Sequence, residues 1–262
     1  MLKFFNAFGI VPSKNYEAAG WDWYVPNIDR DSDKLRIDKY VRPALCKGYG
    51  ITDEQIDQLM KIMGNIINDH YYFDEDDTKF TQRSKEIREC YNANKYNSLL
   101  LYLAFSFKSN NRLFNIDGEP ALYNMNMFIY NNLLFDVNNN TVGVELERGN
   151  TLFINTGVKE KVPTGYAGVF LNKSGRGSSG YDVRAQVVDE DYTGYVHINV
   201  QFLGQKSSES RIYCGDKLVQ QLVLPLYKES EDDGECSEEE FNSLTAKSQR
   251  GEQGFGSSNE KH

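Results

Sequence analysis

Residues 182–202 read D-V-R-A-Q-V-V-D-E-D-Y-T-G-Y-V-H-I-N-V-Q-F. Val196, Ile198, Val200 and Phe202 alternate with His197, Asn199 and Gln201, the period of two that gives a strand one buried face. Asp182–Val188 forms a second β-like run, and the polar residues 189–194 between the two end in a glycine. Working outward, Thr141–Glu147, Thr151–Val158, Gly165–Leu171 and Leu218–Tyr227 are similar short runs, set apart by breakers such as Gly149-Asn150 and Gly204–Ser208. Short strands at this even spacing predict a mainly β fold, a sandwich or barrel.

The segment 27–137 follows a different pattern. Thr52-Asp53-Glu54-Gln55 has capping-box spacing, and Ile56, Leu59, Met60, Met63, Ile66 and Ile67 recur at helical intervals, which predicts an amphipathic helix near 53–68. A second helix is expected at 81–107, where Leu99–Phe105 is too apolar all round to face water. The segment is thus expected to be a partly helical insert with a core of its own. Its end, Leu122–Asn140, is rich in Asn and aromatics and suits either a strand pair or an irregular loop. The resulting division is 1–26 and 138–248 for the β core, 27–137 for the insert and 249–262 for a glycine-rich arm.

Composition narrows the function. The chain has 262 residues and a net charge of −9, which disfavours a broad nucleic-acid face because phosphate-tracking proteins need clustered positive charge. A small anion would have to be met by local cations. No apolar run approaches the ~18 residues of a membrane span, so a cytoplasmic protein is expected. Cys46, Cys90, Cys214 and Cys236 are far apart and read as reduced thiols, and three histidines offer no zinc cage. Asp29-x-Asp31-x-Asp33 starts like a calcium loop, but Lys34 and Tyr40 occupy its glycine and closing-acid positions. The run Asp74–Asp77 reads as a solvated acidic loop.

The tail Arg250–Ser258 reads R-G-E-Q-G-F-G-S-S. Its glycines leave backbone N–H groups open, Arg250 can fork onto a phosphate, Ser257 and Ser258 can donate, and Phe255 offers a flat face to a base. Four upstream blocks precede it in order: Ala18–Asp22, Asn172–Gly175, Val188–Gly194 and Gly215–Gln220. Together with the tail they resemble the five ordered motifs of the trimeric dUTPase family. The resemblance covers 1–26 and 138–262 and leaves 27–137 unmatched.

That resemblance implies a jelly-roll-like β core and hydrolysis of dUTP to dUMP and pyrophosphate by water attack on the α-phosphorus. Asp189 would be the base that orients the water and touches the sugar 3′-hydroxyl, and Tyr192 would pack on the deoxyribose and exclude a 2′-hydroxyl. Lys173, Ser174 and Gly175 would contact phosphates, and Arg250, Phe255, Gly256, Ser257 and Ser258 would close over the nucleotide. Asp22 and Gln220 would hold Mg²⁺ through water, with Gln220 also near the phosphates. A homotrimer is implied, its pockets lying between subunits.

The pattern has departures. Lys173 stands for the usual arginine and Asn172 for the usual proline, so a bidentate fork becomes a point charge. Gln186 replaces a glycine, and Thr193 and Tyr195 replace charged residues. Two alternatives follow. dCTP deaminase shares the fold but needs a glutamate proton shuttle where this chain has Asn199, which cannot carry a proton. A regulatory protein that binds dUTP and grips a protein partner with the insert is the other.

Overall fold

A computed structural model describes residues 1–26, 43, 46, 52–68, 85, 115, 117, 119–135, 141–227, 229 and 233–247. Its strands are β1 (Lys3–Asn6), β2 (Trp21–Tyr24), β3 (Leu133–Phe135), β4 (Thr141–Glu145), β5 (Thr151–Lys161) and β6 (Tyr166–Asn172). They continue as β7 (Tyr181–Arg184), β8 (Val187–Val188), β9 (Tyr195–Phe202), β10 (Arg211–Tyr213) and β11 (Lys217–Pro225). The helices are α1 (Asp53–Asn68), α2 (Leu122–Asn132), α3 (Ser174–Ser178) and α4 (Glu238–Thr245). The chain divides into two units, Met1–Leu226 and Tyr227–His262.

Among the described residues the strands make three antiparallel sheets, ordered β1-β5-β9-β7, β2-β11-β6-β8 and β10-β4-β3. They form a sandwich and do not close into a barrel. The two larger sheets face each other through aromatic and aliphatic side chains. Phe4 meets Trp23 edge-on at 5.8 Å between ring centroids, and Trp23 meets Phe170 at 5.4 Å. Val196, Ile198, Val200 and Phe202 are all buried, as the alternation along β9 requires.

The run expected as one strand at 182–188 is two strands in two sheets. Ala185 has φ +53°, a left-handed backbone rare outside glycine, and this corner takes the chain from β7, paired with β9, to β8, paired with β6. Gln186 stabilises the corner, its side chain donating to the Val183 carbonyl at 3.0 Å and its carbonyl accepting from Phe170 N–H at 2.7 Å. The unusual residue at 186 therefore serves the bend. Gly157 marks a second irregularity, where the β5–β9 register shifts between Asn155 and Lys159. Its φ is +70°, and a Cβ there would lie 2.5 Å from the Phe8 ring.

Helix α1 spans the predicted residues, and its capping box is made: Thr52 N–H donates to Gln55 Oε1 at 2.9 Å and Gln55 N–H to Thr52 Oγ1 at 3.2 Å. Ile56, Leu59, Met63 and Ile66 are buried at i, i+3, i+7 and i+10, each worth roughly 1.5–3 kcal/mol against exposure. They do not form a separate core. With Met125 and Leu133 they join the same apolar cluster as Val144 and Leu146 of the β sandwich. Residues 122–132 are helical rather than a strand pair or loop, and β3 then pairs with β4. The helix expected at 81–107, Cys90, His70, His262 and both acidic runs lie outside the described residues, Lys85 apart.

No helix among the described residues is long and apolar enough to cross a membrane. In the second unit, α4 starts at Ser237, whose Oγ accepts from Glu240 N–H at 3.2 Å, with Glu238, Glu239 and Glu240 in the first turn, where the helix dipole favours negative charge.

Candidate functional site

Strand pairing brings Asp22, Gln220 and Lys173 together. Gln220 on β11 stands opposite Asp22 on β2 and Leu171 on β6, and directly opposed residues share a face of the sheet. Lys173 lies two positions beyond Leu171 and points to that face. Its Nζ forms an ion pair with Asp22 Oδ1, while Lys217 Nζ reaches Asp22 Oδ2 at 3.0 Å. Burial alone would raise the Asp22 pKa, but the two lysine contacts outweigh it and hold the carboxyl below its ordinary value. Gln220 Nε2 donates to the Asn172 carbonyl at 3.1 Å, which turns its amide toward the end of β6.

Next to this cluster the chain makes the five-residue α3. Lys173, Ser174, Gly175, Arg176, Ser179, Glu209 and Gln220 line a cavity of about 540 Å³. A Cβ on Gly175 would meet nothing within 4 Å, so its backbone borders open space. Asn172, in place of the usual proline, accepts from Val183 N–H at 3.0 Å and ties β6 to β7. The cavity is mixed in charge. Two lysine charges are already opposed by Asp22, and Glu209 Oε2 accepts from Ser179 Oγ at 2.8 Å.

Three of the lining residues were not singled out from the sequence: Arg176, Ser179 and Glu209. Arg176 adjoins the quoted block, and its charge directly after Gly175 was the available signal. Its guanidinium pairs with Asp216, donates to the Arg211 carbonyl at 3.2 Å and lies 5.4 Å over the Tyr181 ring. Asp216 also accepts from Tyr213 N–H at 2.9 Å. Gly215, at φ +87°, and Asp216 make the turn that leads into β11. Glu209 comes from a remote 3₁₀ turn, which only folding could place there.

Asp189 and Tyr192 sit elsewhere. Val187 and Val188 pair with Val169 and Gly168, so the chain leaves the sheet at Asp189 heading away from Lys173, about 20 Å from it along β6. The turn that follows is firmly held. Tyr192 N–H donates to the Asp189 carbonyl at 3.2 Å, Lys161 Nζ to the Glu190 carbonyl at 2.5 Å, and Gly165 N–H to the Glu190 carboxylate. Tyr192 is 41% exposed, its hydroxyl donates to the Tyr195 carbonyl at 2.7 Å, and local burial raises its pKa. Its phenol packs on Gly194 so closely that a Cβ there would come 2.4 Å from the hydroxyl.

Residues 135–259 match the dUTPase family. These residues form a dUTPase domain. Solved structures similar to part of the chain include a mutant dUTPase from phage phi11 of S. aureus, described as coordinating a structural Mg(II) ion (21% identity, 36% of this chain and 83% of that one, TM-score 0.30). EIAV dUTPase is 22% identical over 38% of this chain and 89% of its own, with TM-score 0.31. A mutant of Staphylococcus bacteriophage 80alpha dUTPase, solved with dUpNHpp, is 22% identical over 44% of this chain and 85% of its own, with TM-score 0.35.

Asp189 and Tyr192, which resemble the family's third motif, follow β8 beside one end of β6, and Asp22, Lys173, Ser174, Gly175 and Gln220 lie at the other end. Arg250, Phe255, Gly256, Ser257 and Ser258 lie outside the described residues. Among the described residues no group of three or more His, Cys, Asp or Glu could hold a metal. Asn199, where a dCTP deaminase needs a glutamate, stands opposite Phe153 and Arg184 on β9, and its amide brings no acid there.

Proposed function

We propose that this dUTP diphosphatase hydrolyses its substrate in a site shared between copies of the chain, one giving Asp189 and Tyr192 and another giving Lys173, Ser174, Gly175 and Gln220. The observation that carries this reading is the clustering of Asp22, Lys173 and Gln220 beside a cavity lined by Ser174 and Gly175, with Asp189 following β8 beside the far end of β6. In a homotrimer each pocket would join the two ends. The phosphates would lie against the Ser174–Gly175 backbone and the lysines. The ~3 Å contact needed for base catalysis would place Asp189 on the attacking water. Tyr192 would flank the sugar, and the arm carrying Arg250 and Phe255 would cover the base and phosphates.

The donor set around Asp22 suits an ion that arrives with the phosphates. Asp22 is engaged by two lysines and stands opposite Gln220, and among the described residues no cluster of three acidic, His or Cys groups forms a cage, which fits an ion that keeps its waters. Mg²⁺ held through water by Asp22 and Gln220 would neutralise charge building on the departing pyrophosphate. Lys173 as a point charge in place of a fork leaves more of the phosphate grip to backbone N–H groups.

Release of pyrophosphate, measured with dUTP, dCTP, dTTP and UTP in turn, tests the reading. Turnover of dUTP alone supports it; turnover of dCTP, or of none of the four, ends it.

A further inference from the structure

The β6–β8 ladder ends at Gly168 opposite Val188, so Asp189 is the first residue past the sheet and its position depends on what holds the turn behind it. Glu190 is where that turn is tied down. Its carbonyl accepts from Lys161 Nζ at 2.5 Å and its carboxylate accepts from Gly165 N–H, so one residue is gripped through backbone and side chain alike. Both donors come from the β5–β6 hairpin: Lys161 ends β5, and Gly165 lies in the turn that Tyr166 N–H closes onto the Pro163 carbonyl at 3.1 Å. Gly165 has φ +79°, the left-handed backbone that the third position of a type II turn requires, and such a turn leaves that residue's N–H unused. The anchor is itself fixed. The Gly165 carbonyl accepts from Leu226 N–H at 2.8 Å, and Pro225 stands opposite Tyr166 at the end of β11.

We propose that Lys161 and Glu190 are positioning residues for the hydrolysis: they hold the 189–192 turn so that the Asp189 carboxylate meets the attacking water, and they touch neither water nor nucleotide themselves. The proposal rests on the reading of Asp189 as the base and adds two residues that act through it. Three observations carry it. Glu190 follows Asp189 directly, and consecutive Cα atoms are held about 3.8 Å apart, so any slip of the gripped Glu190 peptide carries Asp189 with it. Tyr192 N–H donates back to the Asp189 carbonyl at 3.2 Å, so the same grip steadies the ring assigned to the sugar. Lys161 is exposed and Glu190 only partly buried, and polar contacts at such positions add little to overall stability. Their effect on rate is potentially far larger, because a displacement of about 1 Å in a reacting group can cost about a hundredfold.

Lys161→Met and Glu190→Ala release the turn, while Lys161→Arg keeps a donor and Glu190→Gln keeps an acceptor oxygen in place. With dUTP, the first pair should lower kcat about tenfold at nearly unchanged KM, and the second pair should stay within about twofold of the wild type. Circular dichroism and thermal unfolding should show all four variants folded like the wild type, since neither side chain belongs to the apolar core. Amide hydrogen exchange gives a readout that needs no turnover: Gly165 and Tyr192 should exchange faster in Lys161→Met and Glu190→Ala, with the β9 amides unchanged. Release variants with wild-type kcat, a change confined to KM, unchanged exchange at both amides, or a kcat loss that Lys161→Arg does not recover would each overturn the proposal. The readings fail separately. A wild type that does not turn over dUTP removes the function and the positioning role with it, whereas an active wild type with unaffected release variants removes only the positioning role.

Discussion

Gln221 donates to Glu160 at 2.7 Å in the interior between the two large sheets, and the other oxygen of Glu160 is buried without a hydrogen-bond partner. Gln221 in turn accepts from Trp23 Nε1 at 3.0 Å. Burial pushes the Glu160 pKa up to about 7, and the Gln221 contact offsets only part of that. The folded state therefore binds the proton more tightly than the unfolded chain, whose glutamates titrate near 4.5. Stability should fall as pH rises from about 4.5 to about 7 and level off above, a change of order 3 kcal/mol. Glu160→Gln should flatten that slope. Urea unfolding between pH 5 and 8 checks it, and an unchanged slope in the variant would rule out Glu160 as its source.

The same chain of hydrogen bonds explains a glycine. A Cβ on Gly168 would sit 2.3 Å from Gln221 Nε2, so Gly168→Ala must displace the amide that links Trp23 to Glu160. A loss of about 1–3 kcal/mol is expected from the unmade buried hydrogen bonds. Denaturant midpoints for the variant would show it, with little change in the slope of the transition.

The strands were largely readable because one-sided burial writes a period of two into the chain, as Val196 to Phe202 shows. Helix α1 was readable for the parallel reason, its cap and apolar stripe both being local. What escaped was non-local. Ala185 gives no signal that the chain changes sheets there, since its left-handed backbone is imposed by pairing on either side. Leu122–Asn132 has few strong helix formers, and its helix is supported by packing against α1 and β4. In the site, Asp22 and Gln220 could be named from motif order, but that Asp22 pairs with Lys173 and stands opposite Gln220 depends on strand register. The distance from Asp189 to Lys173 depends on the path of β6 and was not legible at all.

Asp22 should matter more for the metal than for holding substrate. Its lysine pairs keep it ionised above its lowered pKa and are lost only as pH falls through it, below the ordinary 3.8, so it stays charged in any neutral assay. Asp22→Asn leaves Lys173 and Lys217 charged, and it removes the negative charge and one of the two acceptor oxygens of the proposed outer shell. The expected result is a kcat about ten to a hundredfold lower, with a higher Mg²⁺ concentration needed for half-maximal rate and little change in KM. Mg²⁺ titrations of turnover separate this from simple loss of substrate binding, which would raise KM instead.

Tyr192 should set the preference for deoxyribose. Its ring is pinned between Gly194 and the Tyr195 carbonyl, so it presents a fixed wall rather than a mobile side chain. Tyr192→Ala removes the wall from a 41% exposed site and should cost the fold little. The ratio of UTP to dUTP turnover, as kcat/KM, should then rise about ten to a hundredfold. Gly194→Ala offers a second arm, because its methyl would come 2.4 Å from the Tyr192 hydroxyl and push the ring aside without removing it. Both variants should relax discrimination in the same direction. If Tyr192→Ala lowers dUTP and UTP turnover by the same factor, the ring supports the turn and does not read the sugar.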